Sequence, residues 1–449
     1  LKKSNLLVAL AIATAVTAQS AQSAPGIPPD YGFRVHSDAK VELGKNLFFD
    51  KILSGNKNIA CATCHHSHTE TGDGLSLPIG EGGRGLGVAR NVGSGADLVP
   101  GRLPRNVPAL FNLDSTHFNL MFHDGRLVAD SSEPSGFKNP AGANLPTGLD
   151  SALAAQAMFP VQDTTEMAGQ AGENSIADAA AANNLAGAGG VWEQLTNRLQ
   201  ANPAYVDLFV DAYDDVDFAS DITYVHVANA IAAFEGQMGL ANNSPYDQFL
   251  AGNRGAMSRN QKKGMGLFFN GDRNGQNCAS CHSGLFQTSH GFNAIAMPQI
   301  GGGRGNGFDG HDDFGREQVT GDPADRFKFR ASTLRNIALT APYGHDGAFN
   351  SLRAIVEHHM DTVTSLYNYD RSQAVLPAHP TKSADDFIVM DDPVRVAAIA
   401  AANELPPYTF TPKQVDRILD FLNALTDTGS IDLRAHTPAS VPSGLPLAD

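Results

Sequence analysis

Thiols are scarce in this chain: its 449 residues include only four cysteines. So few cannot staple a chain of this length, which excludes the disulfide-dense class of small secreted scaffolds. Tryptophan occurs once, at Trp192, and reads as a core packing residue. Positive charge is in deficit, with 32 Lys and Arg against 47 Asp and Glu and a formal net charge of −15. That balance argues against nucleic acid or an anionic membrane as partner, since both are bound by neutralising negative charge. Beyond the first two dozen residues no apolar run is long enough to span a bilayer. No strand-rich region stands out, which sets aside all-β architectures. Glycine and proline are plentiful instead, 45 and 25 residues, and imply long irregular connections.

All four cysteines fall in two copies of one pattern, Cys61-Ala62-Thr63-Cys64-His65 and Cys278-Ala279-Ser280-Cys281-His282. Two thiols at this spacing, followed at once by His, form the pattern of covalent c-type haem attachment. The thiols add to the vinyl groups and the His ligates the iron. One zinc site built from both pairs would not require a His after each. Redox dithiols sit near a βαβ pattern, missing here, and a disulfide within either pair would close a tight, strained ring. The sequence therefore predicts two c-type haems. Cys61, Cys64, Cys278 and Cys281 are the attachment points, and His65 and His282 are iron ligands.

The opening stretch Leu1-Lys2-Lys3-Ser4-Asn5 is short and basic, residues 6–16 are apolar, and small residues follow to Ala24. This is the layout of a secretory signal peptide over residues 1–24, with cleavage between 18 and 24. A membrane anchor would need a longer apolar run. The mature chain is expected to be exported, most simply to the periplasm, where c-type haem attachment occurs in bacteria.

Helical periodicity places Val41, Leu43, Leu47 and Phe48 on one face before the first motif. Further helices are expected over 191–213 (interrupted at Pro203), 224–238, 258–269 and 352–360, and after Thr411-Pro412. Each motif follows a helix ending in a repeated triplet, Leu47-Phe48-Phe49 and Leu267-Phe268-Phe269. The expected fold is mainly α, with two cytochrome c-like haem domains, 25–240 and 241–449, and long irregular loops.

With these residues the chain resembles the bacterial dihaem cytochrome c peroxidases and the related enzyme MauG. The resemblance covers about residues 37–430. It is carried by the two motifs, Pro104-Arg105-Asn106-Val107-Pro108, His123-Asp124-Gly125-Arg126, Gln156 with Glu166-Met167, Thr320-Gly321-Asp322-Pro323, and the run from Leu334 through Gly347. It implies that peroxide reacts at the His65 haem while the His282 haem receives electrons. It also implies that Gln156 and Glu166 are the catalytic pair on the open face. A carboxylate there moves a proton between the peroxide oxygens, and an amide orients the peroxide and stabilises developing charge. The family's calcium ion maps to the Asn106 side chain and the Thr340 and Pro342 carbonyls, hard oxygen donors that suit it. A homodimer is a further implication.

Three departures from the family pattern bear on mechanism. The His that blocks the reactive haem in many resting peroxidases is replaced by Glu81, so an open haem needing no reductive activation is expected. The distal ligand position of the second haem carries His359, with Met360 as the alternative. The Trp usually lying between the haems is His123, so electron transfer is expected through His123, another aromatic, or direct edge-to-edge tunnelling. The leading expectation is a peroxidase that reduces hydrogen peroxide to water through a high-valent iron intermediate. Its electrons would come from a small redox protein such as a cytochrome c or cupredoxin. A MauG-like enzyme oxidising a partner protein's side chains, and a dihaem electron carrier without catalysis, are the alternatives.

Overall fold

The computed structural model describes residues 29–95, 98–271 and 275–448. The expected signal peptide lies outside the described residues. Two crossed helix pairs organise the chain, and both are built alike. Asp38–Phe49 packs across Tyr224–Met238, and Arg259–Asn270 packs across Pro412–Asn423. Their starts are chemically fixed. Ser37 Oγ accepts from Lys40 N at 3.2 Å. Ser258 and Gln261 cap each other reciprocally at 3.2 and 2.7 Å. Pro412 occupies the first turn after Thr411, where its missing N–H costs nothing.

A glycine sits at each crossing. A Cβ on Gly44 would lie 1.8 Å from the Ala230 carbonyl oxygen, and one on Gly264 1.7 Å from that of Arg417. In both pairs the next contact beyond that carbonyl group is a phenylalanine Cβ at 2.9 Å, Phe234 and Phe421 respectively. The repeated Phe-Phe ends close around these residues. Phe48 and Phe49 lie 5.2 and 6.1 Å from Phe234 between ring centres, and Phe268 and Phe269 lie 5.1 and 5.9 Å from Phe421. Edge and tilted ring contacts at this range stabilise beyond area burial. The repeated triplet thus marks a repeated substructure.

Strand content among the described residues is small. Leu120–Met121, Leu127–Ala129 and Phe137–Lys138 form an antiparallel ladder, and Phe292–Asn293 pairs with Phe329–Arg330. The helix expected across Pro203 is two helices, Val191–Gln200 and Pro203–Ala212. Asn202 caps the second by accepting from Ala204 N at 3.1 Å. Trp192 is buried, and its indole N–H donates to Met158 O at 2.9 Å. The chain's end returns to its beginning. Leu433 and Val441 join the core of the first helix pair, and Ser443 Oγ donates to Asp50 Oδ1 at 2.6 Å.

The crossings give a matched test. Gly264→Ala should lower the thermal unfolding midpoint, because overpacking costs about 1–3 kcal/mol or more. Gly266, two residues along the same helix, faces open space. Gly266→Ala should leave the midpoint unchanged or raise it, by up to about 1 kcal/mol in helix propensity. Equal midpoints for the two variants would contradict the close crossing.

Candidate functional site

Each motif is a single helical turn placed after a Phe-Phe helix end. His65 N–H donates to Cys61 O at 3.0 Å, and His282 N–H to Cys278 O at 2.9 Å. In both, Nδ1 meets a backbone carbonyl, Thr71 O at 3.0 Å for His65 and Gln287 O at 3.2 Å for His282. A carbonyl only accepts, so Nδ1 carries the proton and Nε2 keeps its lone pair, the tautomer an iron ligand needs. Burial lowers both imidazoles to about 4, keeping them neutral. Burial also raises the Cys64 and Cys278 thiols to about 12. That is opposite to the depressed thiol of a redox dithiol. The donor set and its tautomers fit covalently held haem.

Helix Leu352–Met360 carries the residues that face His282. His358 spends both ring nitrogens, on Ser365 Oγ and Ile295 O, each at 2.9 Å. Met360 packs against the core of the second helix pair. His359 donates Nδ1–H to Ile355 O at 2.8 Å, and its ring centre lies 6.3 Å from that of His282. A metal held between two imidazoles needs about 2 Å per metal–nitrogen bond plus roughly 1 Å from each nitrogen to its ring centre, about 6 Å in all. The spacing suits one iron gripped by both rings.

The first motif has an acid beside it. Glu166 sits on a π turn, Thr164–Ala168, capped by Asp163, whose Oδ1 accepts from Thr165 N at 2.9 Å and Glu166 N at 3.0 Å. Glu166 is half-buried by exposed area yet deeply walled by protein. Desolvation, then the neighbouring Asp163, lifts its carboxyl to about 8, against the opposing pull of Arg126 and Arg304. The same carboxylate acts through space on the Cys61 and Cys64 thiols, so the fold brings it to the first motif. Gln156 is the one residue of helix Ala152–Ala157 that is not buried. No direct bond joins Gln156 to Glu166 among the described residues. Glu81 turns elsewhere: it is buried and accepts from the Asn56 and Asn58 amides at 2.8 and 2.6 Å.

His123 lies on the seam between the two halves of the chain. Its Nε2 meets Asn106 O at 3.1 Å, and its own carbonyl accepts from Arg330 N at 2.8 Å. Burial, then the adjacent Arg105, lowers it to about 4. Beside it His345 stacks on Phe329, with ring centres 3.6 Å apart.

Asn106 and Thr340 line a small cavity of about 10 Å³, with Ala341 and Asp73. Pro342 is not among its lining residues. Asn106 Nδ2 donates to Leu75 O at 2.8 Å, leaving Oδ1 unspent. Asp73 Oδ2 is buried without a partner, and desolvation raises this carboxyl to about 7. An orphaned carboxylate beside oxygen donors fits a hard cation such as calcium. Sequence reading missed Asp73. Its available signal was an acid between two glycines shortly after His65.

Two haem-attachment turns on two helix pairs, one faced by an imidazole and one by an acid, define a dihaem c-type oxidoreductase. The family model described as di-haem cytochrome c peroxidase matches residues 38–255. The methylamine utilization protein MauG of Methylorubrum extorquens is 30% identical over 322 residues, 72% of this chain and 68% of that protein. The cytochrome c551 peroxidase of Pseudomonas aeruginosa is 28% identical over 324 residues, 71% of each. This chain belongs to the di-haem cytochrome c peroxidase and MauG family. Two solved structures share its fold. One is a MauG-like protein associated with microbial copper homeostasis (TM-score 0.56, 22% identity, 94% of this chain and 98% of that one). The other is the diheme peroxidase BthA from Burkholderia thailandensis (TM-score 0.56, 20% identity, 89% and 88%).

The geometry around His282 predicts a spectroscopic split. In the haem-loaded diferric protein, His359→Ala should convert one low-spin haem signal to high spin in electron paramagnetic resonance. Met360→Leu should leave that signal in place. Loss of the signal only in the Met360 variant would assign the ligand to sulfur instead.

Proposed function

We propose that this chain is an exported, periplasmic dihaem peroxidase that reduces hydrogen peroxide with electrons from a small redox protein. In this reading residues 25–240 carry the peroxide-reacting haem and 241–449 the electron-receiving haem, with the final segment folded back on the first. The observation that carries the reading is Glu166, a carboxyl beside the first motif whose affinity for a proton lies near neutrality. An acid so poised can both accept and return a proton.

Haem held at Cys61, Cys64 and His65 would supply the iron that activates peroxide and the redox capacity to hold oxidising equivalents. Glu166, as carboxylate, takes the proton from the inner oxygen of peroxide and returns it to the outer one. The O–O bond then breaks with water as the leaving group. The Gln156 amide orients the peroxide and donates to the developing charge. Two electrons and two protons per peroxide complete the balance, giving two waters. His282 and His359 would hold the second iron, and His123 would lie on the electron path between the halves. Asn106 and Thr340, with Asp73 added, would hold a calcium ion in the small cavity they line, and the family pattern would add the Pro342 carbonyl.

One observation favours a second reading, a MauG-like enzyme that spends the same oxidising equivalents on a partner protein. The 6.3 Å pairing of His282 with His359 implies bis-imidazole ligation, which lowers the reduction potential relative to His/Met. Electron uptake from a high-potential donor is then less favourable.

Peroxide added to the diferric protein, with and without reduced cytochrome c, separates the two. Rapid donor oxidation supports the peroxidase, and a long-lived oxidised state indifferent to the donor supports the second reading. Glu166→Gln should slow the reaction with peroxide about 10²–10⁴-fold. The wild-type rate should climb with pH through an inflection at about 8 as the Glu166 carboxyl ionises, and the variant's profile should be flat there. Equal rates would remove Glu166 from the mechanism.

A further inference from the structure

The segment that carries Glu166 is too short to hold itself, and two neighbouring loops clamp it. On one side Gly55 N donates to Met167 O at 2.9 Å, and a Cβ on Gly55 would lie 1.8 Å from Ala168 O. On the other side Glu81 N donates to Thr165 O at 2.9 Å. A Cβ on Gly80 would meet Thr165 O at 2.1 Å and Glu166 Cα at 3.1 Å. The backbone of Ile79–Glu81 therefore lies directly against the π turn.

That backbone is itself pinned at both ends. Arg90 is fully buried, and its fork spans three carbonyls: Nε donates to Ile79 O at 2.6 Å, Nη2 to Gly80 O at 2.7 Å, and Nη1 to Gly85 O at 3.0 Å. The Glu81 carboxylate is held by the two asparagine amides at 2.8 and 2.6 Å. Asn56, one of the pair, comes from the loop on the opposite side of the turn. Glu81 thus ties the two clamping loops together.

We propose that Arg90 and Glu81 are positioning residues that hold the π turn of Glu166 in one place through the backbone of Ile79–Glu81. The proposal deepens the reading of Glu166 as proton carrier and rests on it. The charged groups acting on Glu166 from its surroundings are Asp163, Arg126 and Arg304. Arg90 and Glu81 are not among them, so they act through geometry.

Three variants, each studied as haem-loaded holoprotein, test this: Arg90→Lys, Glu81→Leu and Glu166→Gln. Lysine keeps the charge but cannot bridge three carbonyls. Arg90→Lys should slow the peroxide reaction about 10- to 100-fold, the scale of a misplacement of about 1 Å, with both haems still incorporated. Infrared titration of the Glu166 carboxyl, assigned by its loss in Glu166→Gln, should move in Arg90→Lys from about 8 towards the ordinary carboxylate range. Glu81→Leu, which removes the oxygen that both asparagine amides use, should shift both readouts the same way and less, and it decides the matter should Arg90→Lys fail to fold. An infrared titration unchanged in the folded variants overturns the brace, whatever Glu166→Gln does to turnover. Normal turnover in Glu166→Gln with a shifted titration overturns the proton-carrier reading and leaves the brace standing.

Discussion

A loop that runs through a protein's interior carries carbonyls that no helix or ladder satisfies, and each one left unpaired costs about 1–3 kcal/mol. This chain meets the constraint with buried and half-buried arginine side chains. Arg90 takes three carbonyls of the glycine-rich loop. Arg198 reaches from its helix to Ile52, Ser54 and Gly55, at 3.1, 2.6 and 2.9 Å. Arg335 donates twice to Leu285 O, just past the second motif. Arg316 donates to Asp124 O and Gly125 O, both at 2.9 Å, next to His123. Guanidinium is the one side chain with five donors in a rigid plane, so one residue can organise several turns of irregular backbone. The segments so held adjoin the site residues. Arg198 fixes the loop that supports Met167, and Arg90 fixes the loop that supports Thr165.

The seam between the two halves uses the same side chain against charge. Arg105 binds Asp313 through two nitrogens at 2.7 and 2.9 Å and Asp124 through a third at 2.6 Å. Burial works to raise the Asp313 carboxyl, and the fork overrides it and holds it well below the usual range. Breaking such a pair leaves an uncompensated buried charge, so the arrangement penalises any slip of one half against the other. His123, Phe329 and His345 occupy the same dry region, and their placement depends on that registry. The returning C-terminal segment adds a second tie, through Asp50, which also accepts from Tyr205 at 2.7 Å.

The parts legible in the sequence were those with a short repeat or a local period. The two motifs, the Phe-Phe triplets and the amphipathic helices announce themselves through spacing alone. The structure places His359 opposite His282, and the hydrogen bonds of His358 supply the physical reason that the neighbouring ring is the one left to face it. Side-chain-to-carbonyl clamping was not legible, because an arginine that binds backbone leaves no partner to read at any fixed offset. For the same reason Glu81 could be noted as a replaced ligand, while its capture by Asn56 and Asn58 could not. The π turn was hidden as well, since its five residues carry no period. The return of residues beyond 430 to the first core depends on a few apolar contacts at long range.

The two motifs share a scaffold down to the glycine at each helix crossing, so their difference must come from what approaches the imidazole of each. At His282 a regular helix delivers His359, and regular helices place a ring with little freedom. At His65 the approach is made by a π turn and two loops, one of them glycine-rich. Such a segment can carry a carboxyl into a water-poor place, because its own backbone is satisfied by Asp163 and by the N–H groups of Gly55 and Glu81 and needs no solvent. Desolvation is the main reason the Glu166 carboxyl holds its proton to about 8. The glycines and the buried fork that make the loop look featureless in sequence are therefore the same features that permit an acid of that strength. An amphipathic helix at this position would bury its apolar face and turn the carboxyl to water, where its affinity for a proton would fall to the ordinary range.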